Sequence, residues 1–230
     1  MPSPGKNQPM PLVIYGAGPL ARLMHFYFTV NNDYEVSHFC IDREYLNQES
    51  FCDLPLIPFD QVEGICPPET HQMFVAIGYK QMRARKLLFD RAKEKGYRCA
   101  SYVSPHAIVN QGAVMGENNV LMDQVVMEPF SRMGDNNLYW SGTLISHGCL
   151  IGNHNYVSAK VVIGGESTME DGCFLGNTAC TINNIVLREE TMLLPGAVAH
   201  KDCLAFTKYF GNPAKPVGTH QEKGIIIERG

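Results

Sequence analysis

The sequence predicts two domains, a short α/β unit followed by an all-β solenoid of stacked short strands. Three observations carry that prediction. A strand, a glycine-rich turn and a helix open the chain; a period of six residues runs over positions 107–202; and the charge balance shifts between the two patterns. Residues 107–204 hold 4 basic and 10 acidic residues, a local net of −6, against −4 for all 230 residues. The remainder is therefore slightly basic, and a joint near Pro105 is expected. The resulting boundaries are a disordered segment over 1–10, the α/β unit over 11–105, the solenoid over 106–218 and a C-terminal tail over 219–230.

Composition excludes several classes. A net charge of −4 argues against a protein that coats nucleic acid. No apolar run approaches the roughly 18 residues of a membrane span, and the opening MPSPGKNQPM lacks the apolar core of a signal peptide. The 8 cysteines include no C-x-x-C pair, so neither a zinc knuckle nor a disulfide framework is indicated. A reduced, cytoplasmic setting is expected, with no nucleic-acid or membrane partner and no metal.

In the α/β unit, residues 12–15 (LVIY) read as a short buried strand. GAGPLA at 16–21 matches G-x-G-x-x-A and leads into a helix over 20–30, which Asn31-Asn32-Asp33 stops. A second strand over 36–41 ends in Asp42, and a third over 74–77 ends at Gly78. A helix over 81–95 closes at Gly96, the residue expected just past a helix C-terminus. Alternating strands and helices imply a small parallel sheet. The glycine-rich turn is either a phosphate cradle at a helix N-terminus or a tight turn that binds nothing. A complete dinucleotide fold is opposed by length, since about 95 residues supply only half of one. The basic cluster Lys80, Arg83, Arg85, Lys86, Arg91, Lys93, Lys95, Arg98 reads as a solvated helix face, or more sharply as attraction for an anionic substrate.

The solenoid is read from its hexads. Position three runs Val109, Met115, Leu121, Met127 and onward to Ala199, apolar in 15 of 16 hexads, with small residues two positions earlier. A helix has period 3.6 and a strand period 2, so a sustained period of six fits neither alone. It fits flat two-residue strands joined by corners, with one large residue per edge pointing inward. Cys149 and Cys173 fall at small corner positions, which makes them packing residues.

The hexads and the closing GNPAKPV at 211–217 resemble the left-handed parallel β-helix of hexapeptide-repeat acyltransferases, in which three hexads make one 18-residue coil. The domain order, with LVIYGAGPLAR, the CID ending at Asp42, FVAIGYKQMRARK and SPHAIV, is similar to the PglD and NeuD type of nucleotide-sugar and sialic-acid acyltransferases, over residues 12–217. The resemblance implies a nucleotide-linked amino sugar held by Gly16, Gly18, Asp42 and Arg43, with acetyl-CoA or another acyl-CoA as co-substrate. The family's I-x-H-x-C-x-I-G hexad is matched by ISHGCLIG at 145–152, which makes His147 the general base; taken alone, His147 would read as a solvated histidine on a turn. Gly165, 18 residues on, is then one rung away at about 5 Å and matches the glycine that contacts the thioester. Asn177, Gly196 and Lys215 match further coenzyme positions, and Tyr156 stands where a relative turns a histidine toward the coenzyme.

Departures accompany the matches. Pro19-Leu20 replaces Gly-His after the second glycine. Gly148 replaces the acidic residue that orients the base, leaving Glu128 and Glu166 as substitutes. Trp140 lies near the acceptor position, where it narrows the pocket, stacks on a sugar or packs at a subunit interface. His147, His154 and His200 do not form the convergent set that a zinc-dependent relative needs. The resemblance implies a homotrimer with sites between adjacent β-helices and direct acyl transfer in a ternary complex. The alternatives are a sugar O-acetyltransferase of the sialic-acid type and a catalytically silent β-helix that scaffolds or binds sugar.

Overall fold

The computed structural model describes residues 10–31 and 34–227. Residues 1–9 of the expected disordered segment lie outside these, and Met10 opens the first strand. Two compact units are distinguished. One runs to Ile77 and adds Arg91–Ala100; the other comprises Gly78–Asp90 and the chain from Ser101 onward. The division thus differs from a single joint near Pro105, because Gly78–Asp90 groups with the solenoid.

The first unit contains β1 (Met10–Tyr15), α1 (Pro19–Asn31), β2 (Tyr34–Ile41), β3 (Ser50–Phe51), β4 (Leu54–Pro58), a one-turn α2 (Val62–Ile65) and β5 (Gln72–Val75). The sheet order is β3-β4-β2-β1-β5, parallel except for β3. β1 is an inner strand, and Leu12, Val13 and Ile14 are fully buried, as expected of a strand covered on both faces. The chain crosses β1 in one direction to reach β2 and in the other to reach β5. This is the topological switch at whose carboxyl ends ligands bind in open α/β sheets. Gly16 turns the chain there with φ +134°, and a Cβ would stand 2.9 Å from the Ala76 carbonyl oxygen, so the close approach of backbones demands glycine. The β3–β4 hairpin was not foreseen. Its turn residues Cys52 and Asp53 take φ of 50° and 63°, a conformation usually announced by Asn or Gly.

α3 (Met82–Glu94) begins in the second unit, and Gly96 follows its end with φ +83°. From Tyr102 on, two-residue strands recur every six residues and pair in parallel with the strand 18 residues away: Val126 with Leu144, Leu144 with Val162, Arg132 with Leu150, Leu138 with Tyr156. Three sheets result, forming a three-sided parallel β-helix. The inward residues are those of position three. Leu121, Tyr139, Val157, Leu175 and Leu193 line one face; Met127, Ile145, Ile163, Thr181 and Ala199 the next; Met133, Ile151, Met169 and Leu187 the third. Each large aliphatic contributes about 1.5–3 kcal/mol by leaving water. The polar exception, Thr181, is satisfied by accepting the Gly164 N–H at 2.9 Å.

Corners take the left-handed conformation at 18-residue intervals, as at Phe130, Gly148, Glu166 and Asn184. Buried Asn119, Asn137 and Asn155 stack inside one corner. The Asn119 and Asn137 side chains accept the next backbone N–H down the ladder at 2.9 and 3.0 Å, and Asn155 accepts that of Cys173 at 2.7 Å. The C-terminal stretch is not a free tail. Ile226 bridges Gln81, Ile225 is buried, and Arg83 donates to the carbonyls of Gln221 and Glu222.

Candidate active site

His147 sits on the corner between the strands Leu144–Ile145 and Leu150–Ile151. Its setting follows from a break in the corner pattern. Elsewhere, the side chain one coil on caps a corner amide. Asp135 Oδ1 accepts the Glu117 N–H at 2.7 Å, Asn153 Oδ1 that of Asp135 at 2.8 Å, and Asp171 Oδ1 that of Asn153 at 2.7 Å. One coil after His147 comes Gly165, which has no side chain to cap with. The His147 N–H is instead taken from the other direction by Glu128 Oε2 at 2.8 Å, and that same oxygen lies 3.4 Å from the ring Nδ1. Of the two carboxylates considered, Glu128 therefore holds the imidazole, while Glu166 lies over Gly148.

The imidazole occupies the space that Gly165 leaves. A Cβ there would stand 2.6, 2.9 and 3.1 Å from Cε1, Nε2 and Nδ1, so the ring lies across the glycine. With Nδ1 turned to Glu128, Nε2 is the nitrogen left for a substrate. The side chain is 56% exposed. Gly148, with φ +67°, leaves room for Glu166, whose Oε1 would be 2.7 Å from a Cβ.

The backbone donors around His147 are all engaged. Ser146 donates to Ile163, Gly148 to Pro129 and Glu166 to His147, each to a carbonyl. The Gly165 N–H, expected to meet the thioester, donates to Asn183 Oδ1 at 3.0 Å. In this structure Gly165 supports the ring and anchors Asn183. Cys149, the cysteine beside the site in sequence, is fully buried, and burial pushes its thiol up to about 11, which disfavours the nucleophilic thiolate.

The other expected coenzyme residues are dispersed. Asn177 and Gly196 share a different corner, where Asn177 Oδ1 caps the Ala159 N–H at 3.2 Å and its carbonyl accepts from Gly196 at 2.9 Å. No protein atom would touch a Cβ at Gly196. Lys215 opens the exposed strand Lys215–Thr219. Tyr156 is not presented to a ligand. It is 5% exposed, stacks on Phe174 with centroids 5.5 Å apart, meets Tyr79 at 5.0 Å, and accepts a hydrogen bond from Trp140 Nε1. Trp140 is thereby tied to the packing of Tyr156.

In the basic cluster, Lys80, Arg83, Lys86, Lys93 and Arg98 are exposed, as a solvated face requires, and Arg85 is the exception. Arg85 is 3% exposed and donates to the Asn136 carbonyl at 2.8 Å; burial pulls its pKa down to about 10. Arg83 pairs with buried Glu190 at 2.6 Å. His154, 7% exposed, receives the Asn136 amide at Nδ1 at 3.0 Å, and burial lowers its pKa to about 4.

In the first unit, Asp42 is occupied. Tyr15 donates to it at 2.8 Å and Arg91 grips it with two bonds of 2.8 and 2.9 Å. Burial raises its pKa, but these hydrogen bonds outweigh that and hold it low. Arg91 also lies 4.8 Å over the Phe59 ring, which stacks on Tyr15. Arg43 pairs with Asp60. A cavity of about 620 Å³ is lined by Asp42, Arg43, Glu44, Asp60 and Arg91, and a second of about 450 Å³ at the glycine-rich turn includes Ala17, Gly18, Pro19, Arg22, Phe26 and Phe51. A Cβ at Gly18 would touch nothing. Arg22 and Phe51, 5.6 Å apart as cation and ring, escaped sequence reasoning because Phe51 arrives on the unforeseen hairpin.

No family model matches the chain. The acetyltransferase domain of PglB from Neisseria gonorrhoeae superposes with a TM-score of 0.81 at 24% identity, covering 92% of this chain and 100% of that one. PerB from Caulobacter crescentus, solved with CoA and GDP-perosamine, superposes with a TM-score of 0.71 at 21% identity over 90% and 97%. The chain shares their fold. It is an α/β unit followed by a left-handed parallel β-helix, as the hexads implied. Among curated proteins, the acyl-(acyl-carrier-protein)–UDP-N-acetylglucosamine O-acyltransferase of Sinorhizobium fredii is 24% identical over 115 residues, 47% of this chain and 43% of that protein. The chain thus spans less than half the length of that curated relative. Among the described residues, no helix is long and apolar enough to cross a membrane.

Proposed function

We propose that the chain transfers an acetyl or other acyl group from acyl-CoA to the amine of a nucleotide-linked sugar, with His147 as general base. The observation that carries this reading is the His147 corner. Glu128 fixes the Nδ1 side, bare Gly165 supports the ring, and Nε2 remains open to take the amine's proton as nitrogen attacks the thioester carbon. Glu128 and Glu166 on either side of His147 favour an acceptor on which positive charge develops as it attacks, a neutral amine over a hydroxyl. With Cys149 buried, no thiol is at hand for an acyl-enzyme, so transfer is direct. The fold shared with PglB and PerB supports the class.

The nucleotide belongs at the glycine-rich turn. Gly18 leaves the backbone approachable, α1 begins there, and Arg22 with Phe51 offers a cation and a ring for phosphate and base. Asp42, bonded to Arg91 and Tyr15, acts by holding Arg91 rather than by meeting a ribose.

The active assembly is a homotrimer. A single chain presents His147 on an exposed corner, which cannot by itself enclose two substrates and exclude water. The face between the Asn177 and His147 corners carries an outward apolar row of Ile108, Val126, Leu144, Val162, Cys180 and Val198, in which Ile108 is 56% and Val162 38% exposed. The corresponding row of Val120, Leu138, Tyr156 and Phe174 is already buried. Incubation with acetyl-CoA and a panel of UDP-, dTDP- and GDP-linked 4-amino sugars, read by product mass, tests the function. Acetylation of one member supports it. No transfer together with no acetyl-CoA binding by calorimetry would favour a silent scaffold.

A further inference from the structure

Two side chains cross between the same two rungs of the His147 corner, which stand about 4.8 Å apart. His147 leans forward over Gly165. Glu166 leans back over Gly148, where its Oε1 and Oε2 would be 2.7 and 3.1 Å from a Cβ. The two residues are joined along the ladder, since the Glu166 N–H donates to the His147 carbonyl at 2.9 Å. Of the ring atoms, Cε1 comes nearest Gly165, with the two nitrogens flanking it. Nδ1 faces Glu128, in the column of Glu128, Ser146 and Gly164. Nε2, on the opposite edge, faces the column of Phe130, Gly148 and Glu166. The two carboxylates differ in what they already bind. Glu128 is engaged with the His147 N–H and ring. Among the described residues, the Glu166 carboxylate makes no hydrogen bond or ion pair, and Glu166 is exposed. A base and a free anion thus flank one small gap.

We propose that Glu166 is the residue that selects a primary amine as acceptor; this rests on the acyl-transfer reading above. A primary amine has two N–H bonds to offer, and a hydroxyl has one O–H. The amine nitrogen attacks the thioester carbonyl carbon, the C–N bond forms and the carbonyl π pair moves to oxygen. His147 Nε2 takes one proton from the nitrogen, and the other N–H donates to the Glu166 carboxylate. That charge-assisted bond strengthens as positive charge develops on nitrogen, so it favours the transition state. Collapse restores the C=O, the C–S bond breaks, and the thiolate takes the proton from His147. A hydroxyl gives its only proton to His147 and turns oxygen lone pairs toward the carboxylate, which repels them.

Glu166→Gln keeps the size and drops the charge, and Glu166→Ala removes the acceptor altogether. Both are assayed with acetyl-CoA and whichever panel amino sugar turns over fastest, alongside thermal unfolding. The 4-hydroxy counterpart of that sugar is titrated as a competing ligand. The expectation is a fall in kcat/KM for the amine of about 10- to 100-fold in Glu166→Ala, with a smaller fall in Glu166→Gln. KM for acetyl-CoA should stay within a few-fold, the unfolding midpoint should hold, and inhibition by the hydroxyl sugar should be unchanged or tighter. Wild-type kcat/KM for the amine in Glu166→Ala overturns the proposal. So does a parallel loss of amine turnover and hydroxyl-sugar inhibition, which would mark Glu166 as support for the pocket. A wild-type protein that acylates no panel member overturns the acyl-transfer reading itself.

Discussion

Replacing Gly165 with alanine is expected to silence His147 while leaving the fold intact. The new methyl would stand 2.6 Å from Cε1 and 2.9 Å from Nε2, closer than carbon tolerates, so the ring must leave its place and the 3.4 Å approach to Glu128. The backbone can accept alanine, since Gly165 lies outside the left-handed region. Stability shifts by two small opposed effects. Alanine restricts the unfolded chain, a gain of about 0.4–1 kcal/mol, and loss of an exposed polar contact costs at most about 1 kcal/mol. Net stability should hold within about 1 kcal/mol. Turnover, by contrast, loses what a positioned base supplies, about 10²–10⁴-fold, or roughly 3–5 kcal/mol of barrier. The assay pairs steady-state acetyl transfer with urea unfolding. Turnover within three-fold of wild type in a folded variant would refute the claim that the bare glycine positions the base.

Three other outcomes are expected. Tyr139 buries a hydroxyl with no partner inside the coil, so Tyr139→Phe should stabilise the protein by about 1–3 kcal/mol, read as a higher unfolding midpoint. Glu128→Ala leaves the His147 amide and ring without their shared carboxylate and should lower kcat about 10- to 100-fold, the worth of one charged hydrogen bond. The pKa of His154 is pulled from 6.5 to about 4 by burial, then by Lys86 and Arg85 against Asp171 and Asp90. The unfolded chain therefore binds the extra proton more readily, and stability should fall as pH drops from about 6.5 toward 4, by about 2–3 kcal/mol. In His154→Gln that part of the pH profile should flatten.

The solenoid was legible because its signal is global. Sixteen hexads in phase put Met127, Ile145 and Ile163 inward even though no single hexad is diagnostic, and corner small residues such as Cys149 and Cys173 followed. His147 was legible through the local hexad around it. Its partners were not, because they lie 18 or 19 residues away. Spacing placed both Glu128 and Glu166 near the ring, and only side-chain geometry shows that Glu128 reaches Nδ1 while Glu166 covers Gly148. Spacing also placed Gly165 one rung from His147, but its amide partner Asn183 lies a further coil on and was not visible from the local match. Arg85 and Tyr156 were misread for a different reason. A run of cations on an amphipathic helix looks solvated, and nothing local reveals that Gly78–Asp90 docks on the Tyr156–Phe174 face.

The central claim is that His147 is the base for acyl transfer to an amino sugar. Its most direct test is product mass and initial rate for wild type and His147→Ala, side by side, with acetyl-CoA and the accepted amino sugar. The account predicts one added acetyl group in the wild-type reaction. It predicts a rate about 10²–10⁴-fold lower in His147→Ala, with the oligomeric state unchanged by light scattering. Equal rates in the two proteins would contradict it.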